Sequence, residues 1–296
     1  MQARRHGSIE DARERATFYA GCMASELAPD PVRSVPALRV PFASGSADAS
    51  KNEIRDVPVE TPIGVVYNSV PYAVMMASPA DLVDFVYGFS LTEGVIEQPS
   101  DIRSIACVPE KDSVTIEIAL SGERFSQHLA RKRAMSGRTG CGLCGVTDLA
   151  DLPRARRRSK GAVAIEAAAM AGALAALDGA QPLNARTRAM HAAAYADARG
   201  VLRLVREDVG RHNALDKLIG RMMLDRLDPA QGFAVITSRC SFEMVEKAAA
   251  AGFGTLVAIS APTSLAIERA QAHGLSLVAL ARADYAMAFA SADASS

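Results

Sequence analysis

The sequence predicts an α/β protein: a parallel sheet in the second half and a smaller β-containing portion before it. Three observations carry this. The runs FAVIT (233–237), TLVAIS (255–260) and LSLVALA (275–281) are short, apolar and evenly spaced. Helical patterns at Ser241–Ala251 and Ser264–His273 fill the two gaps, each ended by a glycine, Gly252 or Gly274. Strand, helix, strand, helix, strand at this spacing means two βαβ units. Upstream, residues 63–76 and 102–120 alternate as paired strands do.

In chain order, residues 1–55 mix charges with Ala, Ser, Gly and Pro and are expected to be a disordered arm. Residues 56–135 form the N-terminal α+β portion. IGVVYNSVPYAVMM reads as two strands around the turn pair Asn68-Ser69. Ser78-Pro79 offers an N-cap and a first-turn proline to a helix carrying Leu82, Phe85, Val86 and Phe89, which Gly94 stops. Ile102–Val108 and Val114–Leu120 pair across Glu110-Lys111-Asp112, and Phe125–Met135 is helical. Residues 136–160 are expected to be a mobile loop, because SGRTGCGLCG has four glycines in ten residues and no apolar period. Residues 161–290 form the α/β domain. It opens with the Ala-rich helix AVAIEAAAMAGALAAL and the strand Val201–Arg206; Asp208 then caps a helix with Leu215, Leu218, Ile219, Met222 and Met223 on one face.

Composition narrows the function. The 296 residues carry no formal net charge, so the whole chain offers nucleic acid no electrostatic attraction. No apolar run approaches the roughly 20 residues that span a bilayer. The N-terminus lacks the apolar segment of a secretory signal. Five cysteines, an odd number, argue against a disulfide scaffold and point to a reducing cytoplasm.

Two constellations carry chemistry. The first is Cys141 and Cys144 in GCGLCG. Nine Lys or Arg against two Asp lie between residues 131 and 160, a field that lowers thiol pKa and attracts anions. Flanking glycines free the backbone so that a sulfur can swing between two sites. Half of a zinc site, completed by Cys107 or His128, is the competing reading, although structural zinc normally takes four ligands and no second CxxC follows. The second constellation is the carboxyl edge of the predicted sheet, where open α/β sheets bind ligands. There fall Ser238 and Arg239, then Ser260–Ser264, then Arg282, with Arg211, His212 and Asn213 at another helix start. Arginines and helix N-termini together favour an anionic, nucleotide-like ligand. Neither GxGxxG nor GxxxxGK[ST] is present.

RTGCGLCG, EDVGRHNALDKLIG, TSRCSFEMVEKAAAAG and SAPTSLAIERAQAHGLSLVALAR together resemble the FdhD family, the formate dehydrogenase accessory sulfurtransferases. VPVETPIGVVYNSVPYAVMMASPADLVDFVYGFSLTEGVI is similar to that family's N-terminal portion. The resemblance implies a cytidine-deaminase-like α/β fold, with a mixed sheet, helices on both faces and usually a homodimer. It implies sulfur relay from a cysteine desulfurase to the molybdenum or tungsten bis(molybdopterin guanine dinucleotide) cofactor of formate dehydrogenase. Cys141 would carry the persulfide and Cys144 would assist. The cofactor-contacting segment would fall on Leu280, Ala281, Arg282, Ala283, Asp284 and Tyr285, and a guanine nucleotide would serve as an analogue. The resemblance to deaminases concerns fold only, since zinc deamination needs an HxE that is missing before Cys141. The alternative is a zinc- or nucleotide-binding chaperone that escorts the cofactor without sulfur chemistry.

Overall fold

The computed structural model describes residues 30–40, 51–126 and 163–290. They form two compact units. The first draws on Thr61–Met76 and 93–126; the second draws on 30–40, 51–60, Ala77–Thr92 and 163–290.

The first unit is built on strands β3 (Thr61–Tyr67), β4 (Val70–Ala77), β5 (Ile102–Pro109) and β6 (Val114–Leu120), in the order β4-β3-β6-β5. β3 runs parallel to β6, and β5 antiparallel to it. Alternate residues of β3 and β6 are buried, among them Ile63, Val65, Tyr67, Ile116 and Ile118, as a half-covered sheet requires. Asn68 and Ser69 both take left-handed φ, 45° and 64°, the signature of a type I′ hairpin turn. Asn68 bears that conformation without glycine because its Oδ1 accepts from Leu120 N at 2.7 Å. Cys107 is half-buried on β5.

The second unit holds a six-stranded sheet. Its strands are β7 (His191–Asp197), β8 (Leu202–Asp208), β9 (Gly232–Ile236), β10 (Thr255–Ala258), β11 (Ser276–Ala279) and β12 (Met287–Ala290), in the order β12-β11-β10-β9-β7-β8. β9, β10 and β11 are parallel, as the two βαβ units predict. β7 and β12 run antiparallel to their neighbours, which makes the sheet mixed. Helices α4 (Arg211–Asp225), α5 (Phe242–Ala251) and α6 (Ser264–His273) cover one face, against Ala234, Ile236, Leu256 and Leu277. Helix α2 (Ala167–Leu177) covers the other, against Phe233, Val235, Val257 and Val278, and the short helix α3 (Pro182–Thr187) follows it in the chain. Gly252 and Gly274 end α5 and α6 with left-handed φ of 97° and 62°, the usual helix stop. No helix among the described residues is long and apolar enough to cross a membrane.

The structure corrects four local readings. The arm expected over 1–55 contains β1 (Val32–Arg39), paired antiparallel with β2 (Lys51–Pro58). Most of their side chains are exposed, so no apolar alternation marks them. Helix α1 (Leu82–Thr92) begins four residues after Ser78 and belongs to the second unit. Ser78 is therefore no cap. It is fully buried, and its N–H donates to Asp208 Oδ2 at 3.0 Å. Nor does Asp208 cap α4, whose N-cap is Gly210. Asp208 closes β8 as a buried acceptor instead. Finally, β7 has no counterpart in the sequence reading, because HAAAYAD is covered on both faces and shows no period.

Two close contacts fix α4. Lys217 and Asp208 are both fully buried and form an ion pair at 2.6 Å. Lys217 Nζ also donates to Ser78 O at 2.9 Å. Asp208 Oδ1 accepts from Gly210 N at 2.7 Å and from Asn213 Nδ2 at 3.1 Å. Where α1 crosses α4, Gly88 and Gly220 let the backbones touch. A Cβ on Gly220 would stand 1.8 Å from Asp84 O, and one on Gly88 1.7 Å from Asp216 O.

Lys217→Met leaves Asp208 as an unpaired buried charge and should lower the unfolding free energy by about 3–5 kcal/mol. Arg203→Ala removes only a solvent-exposed pair with Asp197 and should cost less than about 1 kcal/mol. Urea denaturation of the two variants measures the contrast. Gly220→Ala must push α1 from α4 and should lose at least about 1–3 kcal/mol in the same assay.

Candidate functional site

The strand order brings the candidate residues to one edge of the second unit. β9, β10 and β11 are parallel, so Ser238-Arg239 after β9, Ser260–Ser264 after β10 and Arg282 after β11 all leave at that edge. β7 is antiparallel to both β8 and β9. β8 therefore ends at the same edge, delivering Arg211, His212 and Asn213, and β7 begins there with His191. β9 and β11 flank β10, which sets their ends about 9–10 Å apart. That span suits a nucleotide more than a single small anion.

The loops at this edge are tied together. Cys240 N donates to Ala261 O at 3.1 Å, and Thr263 N donates to Cys240 O at 3.0 Å. Thr237 N donates to Ala192 O at 3.1 Å, and Thr237 Oγ1 accepts from Ala192 N at 2.9 Å, joining the end of β9 to the start of β7. Thr263 Oγ1 caps α6 by accepting from Ala266 N.

The expected residues divide by burial. Arg239 is exposed and makes no ion pair among the described residues. Arg282 is also exposed, but its Nη1 donates to Ile259 O at 2.5 Å and Ala281 O at 3.0 Å. Part of that guanidinium is thus spent on carbonyls of the sheet edge. Ala283, Asp284 and Tyr285 are exposed, Leu280 is half-buried with a left-handed φ of 53°, and Ala281 is buried. Arg282 N donates to Tyr285 O at 2.8 Å, which folds this segment into a turn. Ser238 is buried, and its hydroxyl donates to Arg239 O at 3.0 Å. Asn213 is buried with its amide on Asp208. Ser238 and Asn213 therefore brace the edge from beneath, while Arg211, His212, Arg239 and Arg282 reach its surface.

The sequence reading did not single out His191, Ser241 or Glu243. His191 stands opposite Asp208 in the β7–β8 register. Burial lowers its pKa, and the charges of Arg211 and His212 lower it further, with Asp208 opposing them. Glu243 lies in the first turn of α5. Burial alone would raise its pKa, yet His212, the Ser241 hydroxyl and Arg211 outweigh burial and lower it. Ser241 Oγ donates to Glu243 Oε2 at 3.0 Å, and His212 Nε2 is 3.3 Å from the same oxygen. The pairings of His191 with Asp208 and of Glu243 with His212 are not visible from spacing, because each joins two elements. The serine and glutamate at a helix start were the one available signal.

Cys240 is fully buried, and burial pushes its thiol up to about 12. It remains protonated at neutral pH and is no nucleophile. Among the described residues, no group of three or more His, Cys, Asp or Glu could hold a metal ion. Cys141, Cys144 and His128 lie outside the described residues.

Comparison with known proteins agrees with this architecture. The FdhD/NarQ family profile matches residues 58–295. A protein of Bordetella petrii named Sulfur carrier protein FdhD is 48% identical over 223 residues, which is 75% of this chain and 80% of that protein. One of the same name from Xanthomonas campestris pv. campestris is 49% identical over 226 residues, 76% of this chain and 80% of the relative. The crystal structure of a proposed formate dehydrogenase accessory protein from Desulfotalea psychrophila superposes with a TM-score of 0.65 at 23% identity, covering 88% of this chain and 98% of that one. With a family match over most of its length and such identities, the chain belongs to the FdhD/NarQ family.

Proposed function

We propose that this chain is a sulfur carrier, which accepts persulfide sulfur from a cysteine desulfurase on Cys141 and delivers it to a bis(molybdopterin guanine dinucleotide) cofactor of molybdenum or tungsten. The client is a formate dehydrogenase, and the carrier acts in the cytoplasm as a homodimer. The observation that carries this reading is the near-half identity to proteins named Sulfur carrier protein FdhD over three-quarters of the chain. The Cys141–Cys144 pair among its glycines and arginines supplies the chemistry.

The proposed steps are thiol exchange. The Cys141 thiolate attacks the outer sulfur of the donor's persulfide. The donor's S–S bond breaks, and its cysteine leaves as a thiolate. Arginines around Cys141 favour the attacking thiolate by charge. Delivery breaks the new S–S bond and returns Cys141 as a thiolate. The transferred zero-valent sulfur takes two electrons from the reduced metal and stays bound to it as sulfide. Cys144 either steadies the persulfide or resolves it. The sheet edge of the second unit binds the cofactor's guanine nucleotides as substrate. Arg239, Arg211 and Arg282, with the N-termini of α4 and α5, offer cations and free N–H groups to pyrophosphate oxygens.

Incubation with a cysteine desulfurase and cysteine should add one sulfur atom to the wild-type chain, seen by mass spectrometry, and none to Cys141→Ala. Stoichiometric zinc that is lost on changing either loop cysteine, with no sulfur gained, would favour the escort reading instead. Guanosine diphosphate titrated calorimetrically should bind Arg239→Ala about tenfold to a hundredfold more weakly than wild type, the loss expected for one charge-assisted contact. Cys141→Ala should keep wild-type affinity, because the thiol carries sulfur and builds no part of the nucleotide site.

A further inference from the structure

We propose that Glu243 is a positioning residue of the sheet-edge site, holding the His212 imidazole at the start of α4 so that an incoming phosphate meets an oriented ring. This rests on the nucleotide reading of that edge. Three observations lead to it.

First, α4 begins Gly210-Arg211-His212 and has no acidic residue in its first turn. Asp208, just before the helix, accepts from Gly210 N and Asn213 Nδ2, but its charge is already answered by Lys217 beneath the helix start. A second carboxylate, Glu243, reaches the same helix start from the next helix along the chain. Second, His212 Nε2 faces Glu243 Oε2 at 3.3 Å, within ion-pair reach but outside hydrogen-bond geometry. Nε2 is buried and makes no hydrogen bond among the described residues. A ring nitrogen shielded from water on one side is held by charge and packing, so the ring's orientation depends on the group it faces. Third, Glu243 is anchored independently, since Ser241 Oγ donates to the same Oε2 at 3.0 Å.

A carboxylate beside an anion site would by itself repel phosphate. Here it is answered by the facing His212 ring, the Ser241 hydroxyl and Arg211, which hold Glu243 in its ionised form against the effect of burial. The simpler role for Glu243 is the common one of an acid at a helix N-terminus, stabilising α5 alone. The two roles separate experimentally. A residue that only stabilises α5 changes the unfolding temperature and leaves nucleotide affinity untouched. A residue that acts through His212 changes affinity, and only while His212 is present.

The test is a double-mutant cycle with guanosine diphosphate as the titrant, using the full chain. Glu243→Gln, a near-isostere, should weaken binding about fivefold to tenfold. His212→Asn should weaken it by at least as much. The double variant should bind no more weakly than His212→Asn, because the glutamate's contribution passes through the ring. Glu243→Asp keeps the charge at the start of α5 but draws it back by one methylene. It should reproduce the loss with the unfolding temperature unchanged, and it serves in place of Glu243→Gln should that variant fold poorly. Additive losses, unchanged affinity in both Glu243 variants, or tighter binding from relief of repulsion would each overturn the proposal. If wild type binds guanosine diphosphate and Arg239→Ala weakens it while the cycle fails, the nucleotide reading stands and only the role of Glu243 falls. If wild type does not bind it, both fall.

Discussion

A carboxylate and an ammonium, both sealed from water, organise the second unit. Asp208 and Lys217 carry opposite charges at zero exposure. Desolvating two ions is costly unless their remaining valences are filled, and here they are. Asp208 accepts from Ser78 N, Gly210 N and Asn213 Nδ2, while Lys217 also donates to Ser78 O. These bonds tie the end of β8, the start of α4 and the segment leading into α1 at one point. A hydrophobic cluster at the same place could slide by a rotamer. A network with this many directional bonds admits one arrangement. The orientation of α4, and with it the placement of Arg211 and His212 at the sheet edge, follows from that arrangement. The glycine contact between α1 and α4 then clamps the same helix from its middle.

Above this dry network the sheet edge has the opposite character. Its charged side chains are exposed or half-exposed, and cations outnumber anions: Arg211, Arg239 and Arg282 against Glu243 and Asp284. The positive ends of α4 and α5 add to that balance. The neutralised ions lie beneath, and the groups available to a ligand lie above. An anion at this edge would meet the N-terminus of α4, held in place by the network beneath it.

Much of this was legible in the sequence, and the reason differs from element to element. The run from β9 to β11 could be read because strands buried on both faces are plain apolar words, and Gly252 and Gly274 punctuate the helices between them. The hairpin at Asn68-Ser69 was legible because few residues accept left-handed φ. β7 was not, since alanine suits helix and strand alike and HAAAYAD has no period. Lys217 reads as an ordinary surface lysine of an amphipathic helix, and Ser78 as an ordinary cap. Only three-dimensional pairing with Asp208 reveals either as core. The candidate site followed the same division. Arg239 and Arg282 could be placed at the sheet edge because each follows a readable strand, whereas Glu243 and His191 stand beside His212 and Asp208, neighbours that the chain order keeps apart.

Cys240 sits in the middle of this sheet edge and yet is chemically silent. Its thiol is closed off by the loop that bridges to Pro262, and burial keeps it protonated. A chain whose task is to hold one transferable sulfur atom is exposed to miscounting, because any second reactive thiol near the cargo could capture the sulfur or seal it into a dead-end bond. Placing a cysteine in the core at that position gives the packing of a small apolar side chain without adding a competitor. The sulfur stoichiometry of the carrier is in this way protected by solvent exclusion, with no need for selective recognition.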